Sequence, residues 1–182
     1  VGARKGKLRS GTDPSTISDA ELLDAALEVF ADRGFDGASI RELARELGLS
    51  HNLIPQRFGS KDRLWFAAID HGFGRLAGEL MSASQQPVAD DLEMLRSLVV
   101  RFVEANASRP SLLRIINLEA CSPGPRLDYI FDKFIAPVGQ FGAKVLAKLR
   151  GKGQVRTDSV ALVYFLMIHG AGGSLPSLPE AR

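Results

Sequence analysis

His51, Asn52, Gln56 and Arg57 carry the hydrogen-bonding groups that reading a nucleic acid requires. A carboxamide both donates and accepts, so Asn and Gln can pair with an adenine edge, while a guanidinium pairs with guanine or with phosphate. Leu53, Ile54 and Phe58 lie between and after them at helical spacing, so one short helix would bury these three and turn the polar set outward. Any surface helix has a polar face, and taken alone this one reads more simply as solvated. Other chemistry has less support. His51, His71 and His169 show no zinc-ligand spacing, no Cys–His pair is local, and no glycine-rich loop follows a strand. His169 and Glu119 are an acid–base pair in type only, since nothing in the sequence brings them together. No enzymatic function, metal or cofactor is expected.

What must position the polar set is a run of helices. Ser18 and Glu21 have capping-box spacing, Leu22, Leu23, Ala26, Leu27 and Phe30 follow at helical intervals, and Gly34 comes just past the end. Ser39 and Glu42 repeat the box ahead of Ile40, Leu43, Ala44 and Leu47, and Gly48 stops the second helix. Ser50 is the expected N-cap of a third, from His51 to about Arg57. Gly59 ends it, and Ser60 opens a long fourth helix to about Ser82. Asp90 or Asp91 starts a fifth that ends at Arg109-Pro110, and a sixth spans about Ser111 to Cys121. After the breaker cluster Ser122-Pro123-Gly124-Pro125, a helical region runs from Arg126 to Arg150 with a kink expected at Pro137. The last helix is expected from about Asp158 to Ala171. No repeat and no strand is evident, so the fold class is all-α.

Composition is consistent with this. The 182 residues are 45% hydrophobic and 24% charged, enough apolar material for a core and too little charge excess for disorder. Formal net charge is only +2, but Arg4, Lys5, Lys7 and Arg9 precede any acid. This arm is either a solvated tail or a phosphate-contacting element, at even weight. The single Cys121 excludes an internal disulfide framework and a Cys-rich zinc site. The polar N-terminus lacks the apolar run of a secretory signal, and the stretch Val160 to Ile168 is too short to span a bilayer. A cytoplasmic setting and no membrane partner are expected.

Two short helices, a tight glycine turn and a third element opening a long helix have the form of a helix-turn-helix. The pattern Phe30…Gly34-Phe35, Ser39-Ile40-Arg41-Glu42-Leu43-Ala44, Gly48-Leu49-Ser50 and Phe58-Gly59-Ser60-Lys61-Asp62-Arg63-Leu64 resembles the DNA-binding region of TetR-family regulators. The order and spacing of these pieces make the match specific. The resemblance implies a homodimer that holds two recognition helices over a palindromic double-stranded operator, acts as a repressor, and is released by a small ligand. It places Ser39 and Arg41 where the second helix meets DNA. Ser50, His51, Asn52, Gln56 and Arg57 fall on the recognition helix, and Lys61 matches a phosphate-contacting lysine. One position departs from the family: Pro55 stands where many members carry a Tyr. The ring either distorts the recognition helix or falls within its first turn. A regulator fold that has lost DNA binding is therefore one alternative, and a small helical enzyme or ligand carrier another.

The expected division is 1–62 for the DNA-binding domain with its basic arm and 63–182 for a helical ligand-binding and dimerisation domain. Within the second, Phe66, Ile69, Phe73, Phe102, Asn117, Glu119, Phe131, Tyr164 and His169 are the candidate contacts for a small, largely apolar ligand, with Leu95, Ile116 and Phe134 as further apolar candidates. Each of these apolar stripes describes a filled core equally well, and core is the better reading for any single position. Cys121 reads as an inert small residue. The helix from Val160 to Ile168 is apolar all round and calls for cover on both faces, one of them from a partner chain. In TetR-type proteins the last two helices pair with the partner's. Here the final one is expected to be truncated at Arg182.

Overall fold

The computed structural model describes residues 17–159 and 161–163. The basic arm, most of the apolar stretch ending at Ile168, and the candidates Tyr164 and His169 lie outside the described residues. The regular elements among the described residues are all helices, with no strand among them. The elements are α1 (Asp19–Gly37), α2 (Ile40–Glu46), α3 (Leu53–Phe58), α4 (Lys61–Ala83), α5 (Asp91–Ser108), α6 (Pro110–Cys121), α7 (Pro125–Ile130) and α8 (Ala136–Gly151), with a π-helical turn at Phe131–Ile135 before α8. No helix among the described residues is long and apolar enough to cross a membrane.

Local chemistry accounts for most of the ends. Ser18 caps α1 by accepting from the Glu21 N–H, and the Glu21 carboxylate accepts from the Ser18 N–H at 3.0 Å, closing the capping box. The Ser18 backbone N–H, then its hydroxyl, hold the Glu21 carboxyl below the usual carboxylate range. Gly34 breaks α1 with φ 68°, a left-handed conformation that a Cβ disfavours. Asp90 caps α5 by accepting from the Leu92 and Glu93 N–H groups, both at 2.9 Å. At Pro137, where a kink was expected, the helix is irregular. Because Pro137 has no N–H to donate, the preceding turn widens, and the Ala136 N–H bonds back to the Phe131 carbonyl. Ser159 begins the last helix, its hydroxyl accepting from the Leu162 N–H at 3.2 Å.

The chain divides into two compact units within α4, at His71 and Gly72. The first unit takes the start of α4 because that turn of helix is apolar where it meets α1. Leu64, Trp65, Ala68 and Ile69 are buried, Trp65 sets its ring edge-on to Phe35, and His71 Nε2 lies 2.8 Å from the Asp24 carboxylate. In the second unit Leu80, Phe102 and Leu113 form a core cluster with Leu76 and Val138 packed against it. Polar staples surround that core. Arg109 donates to both oxygens of Glu79 at 2.9 and 2.6 Å, and Lys152 reaches Asp91 at 2.7 Å. The Arg109 hydrogen bond holds Glu79, and the Lys152 hydrogen bond holds Asp91, below the usual carboxylate range.

Candidate nucleic-acid interface

The α2–α3 pair is set by its turn. The Gly48 N–H bonds to the Arg45 carbonyl at 3.1 Å and the Leu49 N–H to the Ala44 carbonyl at 2.8 Å, the two bonds of a Schellman motif. This motif needs the left-handed φ of 68° that Gly48 adopts, and it drives Leu49 into the core. Arg33, at the end of the regular part of α1, holds α2 in place: its guanidinium pairs with Glu42 and with Glu46, one turn apart on α2. Ser39 caps α2 as expected, accepting from the Glu42 N–H at 3.4 Å. The Glu42 carboxylate turns to Arg33, at 3.0 Å, and so serves the α1–α2 packing.

The third helix starts later than its sequence suggests. Ser50 accepts the Leu53 N–H on its carbonyl at 3.0 Å, forming a turn, and the helix proper begins at Leu53 with Asn52 as cap. Pro55 therefore stands at the third helical position, inside the first turn, where a backbone N–H has no intrahelical acceptor in any case. The first helical bond runs from the Gln56 N–H to the Asn52 carbonyl at 2.9 Å, just beyond the ring. A start at His51 would have put Pro55 where its missing N–H mattered. The alternative in which the ring falls in the first turn is the one observed.

The side chains sort into groups. Ile54 is fully buried and anchors α3, with Leu53 and Phe58 half-buried beside it. Ser50, His51, Asn52 and Gln56 are exposed, as is Arg41 on α2. Arg45, absent from the sequence-derived set, is exposed one turn after Arg41, and the i, i+4 spacing of the two arginines was the signal for it. Ser39 is half-buried, its hydroxyl engaged in the cap. Lys61 lies at the start of α4, donating to the Asp36 carbonyl at 3.3 Å with its ammonium 4.5 Å from the centre of the Phe35 ring. Arg57 is exposed with the polar set, as expected, and its guanidinium also bonds to the Ile17 carbonyl just before α1 at 2.8 Å and to the Asp19 carboxylate in the first turn of α1 at 3.1 Å.

The ligand candidates do not form one set. Phe66 and Ile69 belong to the first unit, where Ile69 is fully buried core. In the second, Phe73 packs on Phe134 with ring centres 6.0 Å apart, and Phe102 belongs to the core cluster with Leu80 and Leu113. Glu119 is buried and takes the Arg126 Nε on both carboxylate oxygens, at 3.1 and 3.0 Å. Asn117 and Phe131 are exposed.

Residues 22–68 match the family model described as bacterial regulatory proteins, tetR family. The chain is 42% identical over 52 residues, 29% of its length and 28% of the relative's, to the HTH-type transcriptional repressor Rv3405c of Mycobacterium tuberculosis. It is 31% identical over 99 residues, 54% of its length and 45% of the relative's, to the HTH-type transcriptional activator FasR of Mycolicibacterium smegmatis. The chain thus spans less than half the length of either relative. Among solved structures, AibR in complex with isovaleryl coenzyme A and operator DNA is similar in fold, with a TM-score of 0.69 at 19% identity over 84% of this chain and 83% of that one.

Proposed function

From a chain that over residues 22–68 belongs to the tetR family of bacterial regulatory proteins, we propose a ligand-responsive, DNA-binding transcriptional regulator that acts as a homodimer on a palindromic operator. The observation that carries this is the α2–α3 pair itself. A Schellman turn fixes the angle, Ile54 seats α3, and His51, Asn52 and Gln56 stand exposed where base edges would be read, with Arg41 on α2 for phosphate. Arg45 joins Arg41 in that role. Ser39 and Ser50 supply hydroxyls beside the same face, Lys61 stands at its far edge, and the basic arm adds phosphate contacts.

Domain roles follow: the unit ending near His71 binds DNA, and the helical body after it senses the ligand and dimerises. The name of the Rv3405c relative supports repression, and that of FasR makes the sign of regulation a point to measure. An acyl-coenzyme A is the proposed ligand class, supported by the shared fold with AibR and by an apolar helical body. Contacts through Phe73, Phe102, Phe131 and Tyr164, with Asn117, Glu119 and His169 as polar partners, are part of the proposal.

Selection of bound fragments from a random-sequence duplex library tests the reading. The expected result is enrichment of one palindromic motif with affinity that falls steeply with salt, because each phosphate neutralised lowers the logarithmic salt slope by about 0.9. Failure to enrich any motif would refute it. A reporter driven by the enriched motif then gives the sign of regulation, and acyl-coenzyme A thioesters of graded chain length added to the complex test release. Leu166→Asp, on the apolar stretch proposed to pair with the partner, tests assembly: loss of dimers by sedimentation and of tight operator binding is expected, with helix content kept.

A further inference from the structure

Arg57 occupies an unusual place for an arginine on a helix that reads DNA. At about 100° per residue, it lies about 60° around α3 from the buried Ile54 and about 100° from the exposed Gln56. That puts it on the flank of the packed face. Its side chain is 27% exposed, and one nitrogen, Nη1, bonds both to the Ile17 carbonyl at 2.8 Å and to Asp19 Oδ1 at 3.1 Å. The acceptors flank the start of α1, Ile17 just before its cap and Asp19 as its first residue, 40 and 38 residues away in sequence. Ile17 is itself buried, so the carbonyl that Arg57 grips is part of a fixed segment. Asp19 is 69% exposed, so little else holds that carboxylate in place.

Resting on the DNA-binding reading, we infer that Arg57 is a positioning residue that sets the docking angle of α3 against α1 and makes no contact with the operator. The logic is one of leverage. Helix α3 spans only Leu53–Phe58, and its end at Gly59 takes a left-handed turn, so six residues have few contacts with which to fix their own axis. Ile54 is the one fully buried residue of the helix, so rotation about that point is restrained otherwise only by half-buried Leu53 and Phe58. A second tether near the C-terminal end, to a different element, limits that rotation. Arg57 supplies it, and a guanidinium suits the task because its planar fork is charged at every relevant pH and has few internal degrees of freedom to lose.

Two readings of Arg57 predict opposite outcomes for its partner. If Arg57 is a tether, replacing Asp19 by Asn weakens the tether, so binding to the enriched motif falls. If Arg57 swings out to a phosphate, removing the competing carboxylate frees it, so binding rises. The wild-type chain, Arg57→Gln and Asp19→Asn are titrated against the motif enriched by the wild type, from low to moderate salt. A tether predicts about 10-fold weaker motif binding for Arg57→Gln and about 3-fold for Asp19→Asn, since Asn still offers an acceptor. Slopes of log affinity against log salt should match the wild type, and random-sequence DNA should be bound as before, because no phosphate contact is lost. Arg57→Lys, which keeps a donor within reach of Ile17, should recover most of the affinity.

A salt slope shallower by about 0.9 in Arg57→Gln, or tighter binding by Asp19→Asn, would overturn the inference while leaving the DNA-binding reading intact. No enriched motif for the wild type would overturn both. Asp19→Asn keeps the test decisive even if Arg57→Gln folds poorly, since its side chain is exposed and Ser18 still caps the helix.

Discussion

Pro55 provides the sharpest quantitative test, because two placements of the same ring predict stability changes of opposite sign. In the interior of a helix proline is worse than alanine by about 3 kcal/mol, through the lost hydrogen bond and the clash with the preceding turn. In the structure Pro55 is the third residue of α3, before the first intrahelical acceptor is used, and its ring is exposed. Pro55→Ala therefore recovers no hydrogen bond and removes no buried contact. It does give back backbone freedom to the unfolded chain, worth about 0.4–1 kcal/mol against folding, and release of Ile54 from its pre-proline restriction offsets part of that. The expected net change is a destabilisation of no more than about 1 kcal/mol. At about 2–4 °C per kcal/mol for a chain of this size, Tm should fall by at most about 4 °C. Thermal and urea unfolding of both proteins under identical conditions measure it. A stabilisation approaching 3 kcal/mol would mean that the ring sits in a helix interior, and the late start of α3 would be wrong.

Three further outcomes follow from the same geometry. Ile54→Ala empties the seat of α3 and should destabilise by about 2–5 kcal/mol in urea unfolding, with motif binding lost even where the protein remains folded. Gly48→Ala meets no atom within 4 Å, so only left-handed strain counts against it, about 1–2 kcal/mol; Gly48→Asn should lose visibly less. Acid should destabilise the second unit through Glu79, whose folded-state pKa is depressed by the Arg109 hydrogen bond. A depressed carboxylate adds stability that is present above the unfolded glutamate value, about 4.3, and is lost as pH falls through the lower folded value. Stability measured from pH 6 downward should thus fall less steeply in Glu79→Gln, and only slightly so, because the Glu79 side chain is 48% exposed.

What the sequence alone determined is what can be settled within a few residues. A capping serine and its glutamate three positions on interact before any tertiary structure exists, which is why Ser18 and Glu21 form the box expected of them. The left-handed conformations of Gly34 and Gly48 are likewise local, since the backbone itself favours a residue without Cβ there. The all-helical class followed from such signals together with helical spacing. Tertiary structure decided what depends on partners far along the chain. The Glu42 carboxylate had a local use in a second capping box, and Arg33 drew it to the α1–α2 packing. Arg57 is exposed as its polarity suggested, but its acceptors, the Ile17 carbonyl just before α1 and the Asp19 carboxylate within it, lie too far along the chain to be read from spacing. The N-cap of α3 moved from Ser50 to Asn52 and its first residue from His51 to Leu53, because a proline tolerates only the first turn, and the seat of Ile54 in the core is part of the same arrangement. The apolar candidates of the body show the limit most clearly. Helical spacing says that Phe73 and Phe102 face inward, but whether inward means a filled core or a ligand depends on which atoms arrive from other helices. In the structure Phe134 packs on the first, and Leu80 and Leu113 cluster with the second, and no spacing in the sequence named those neighbours.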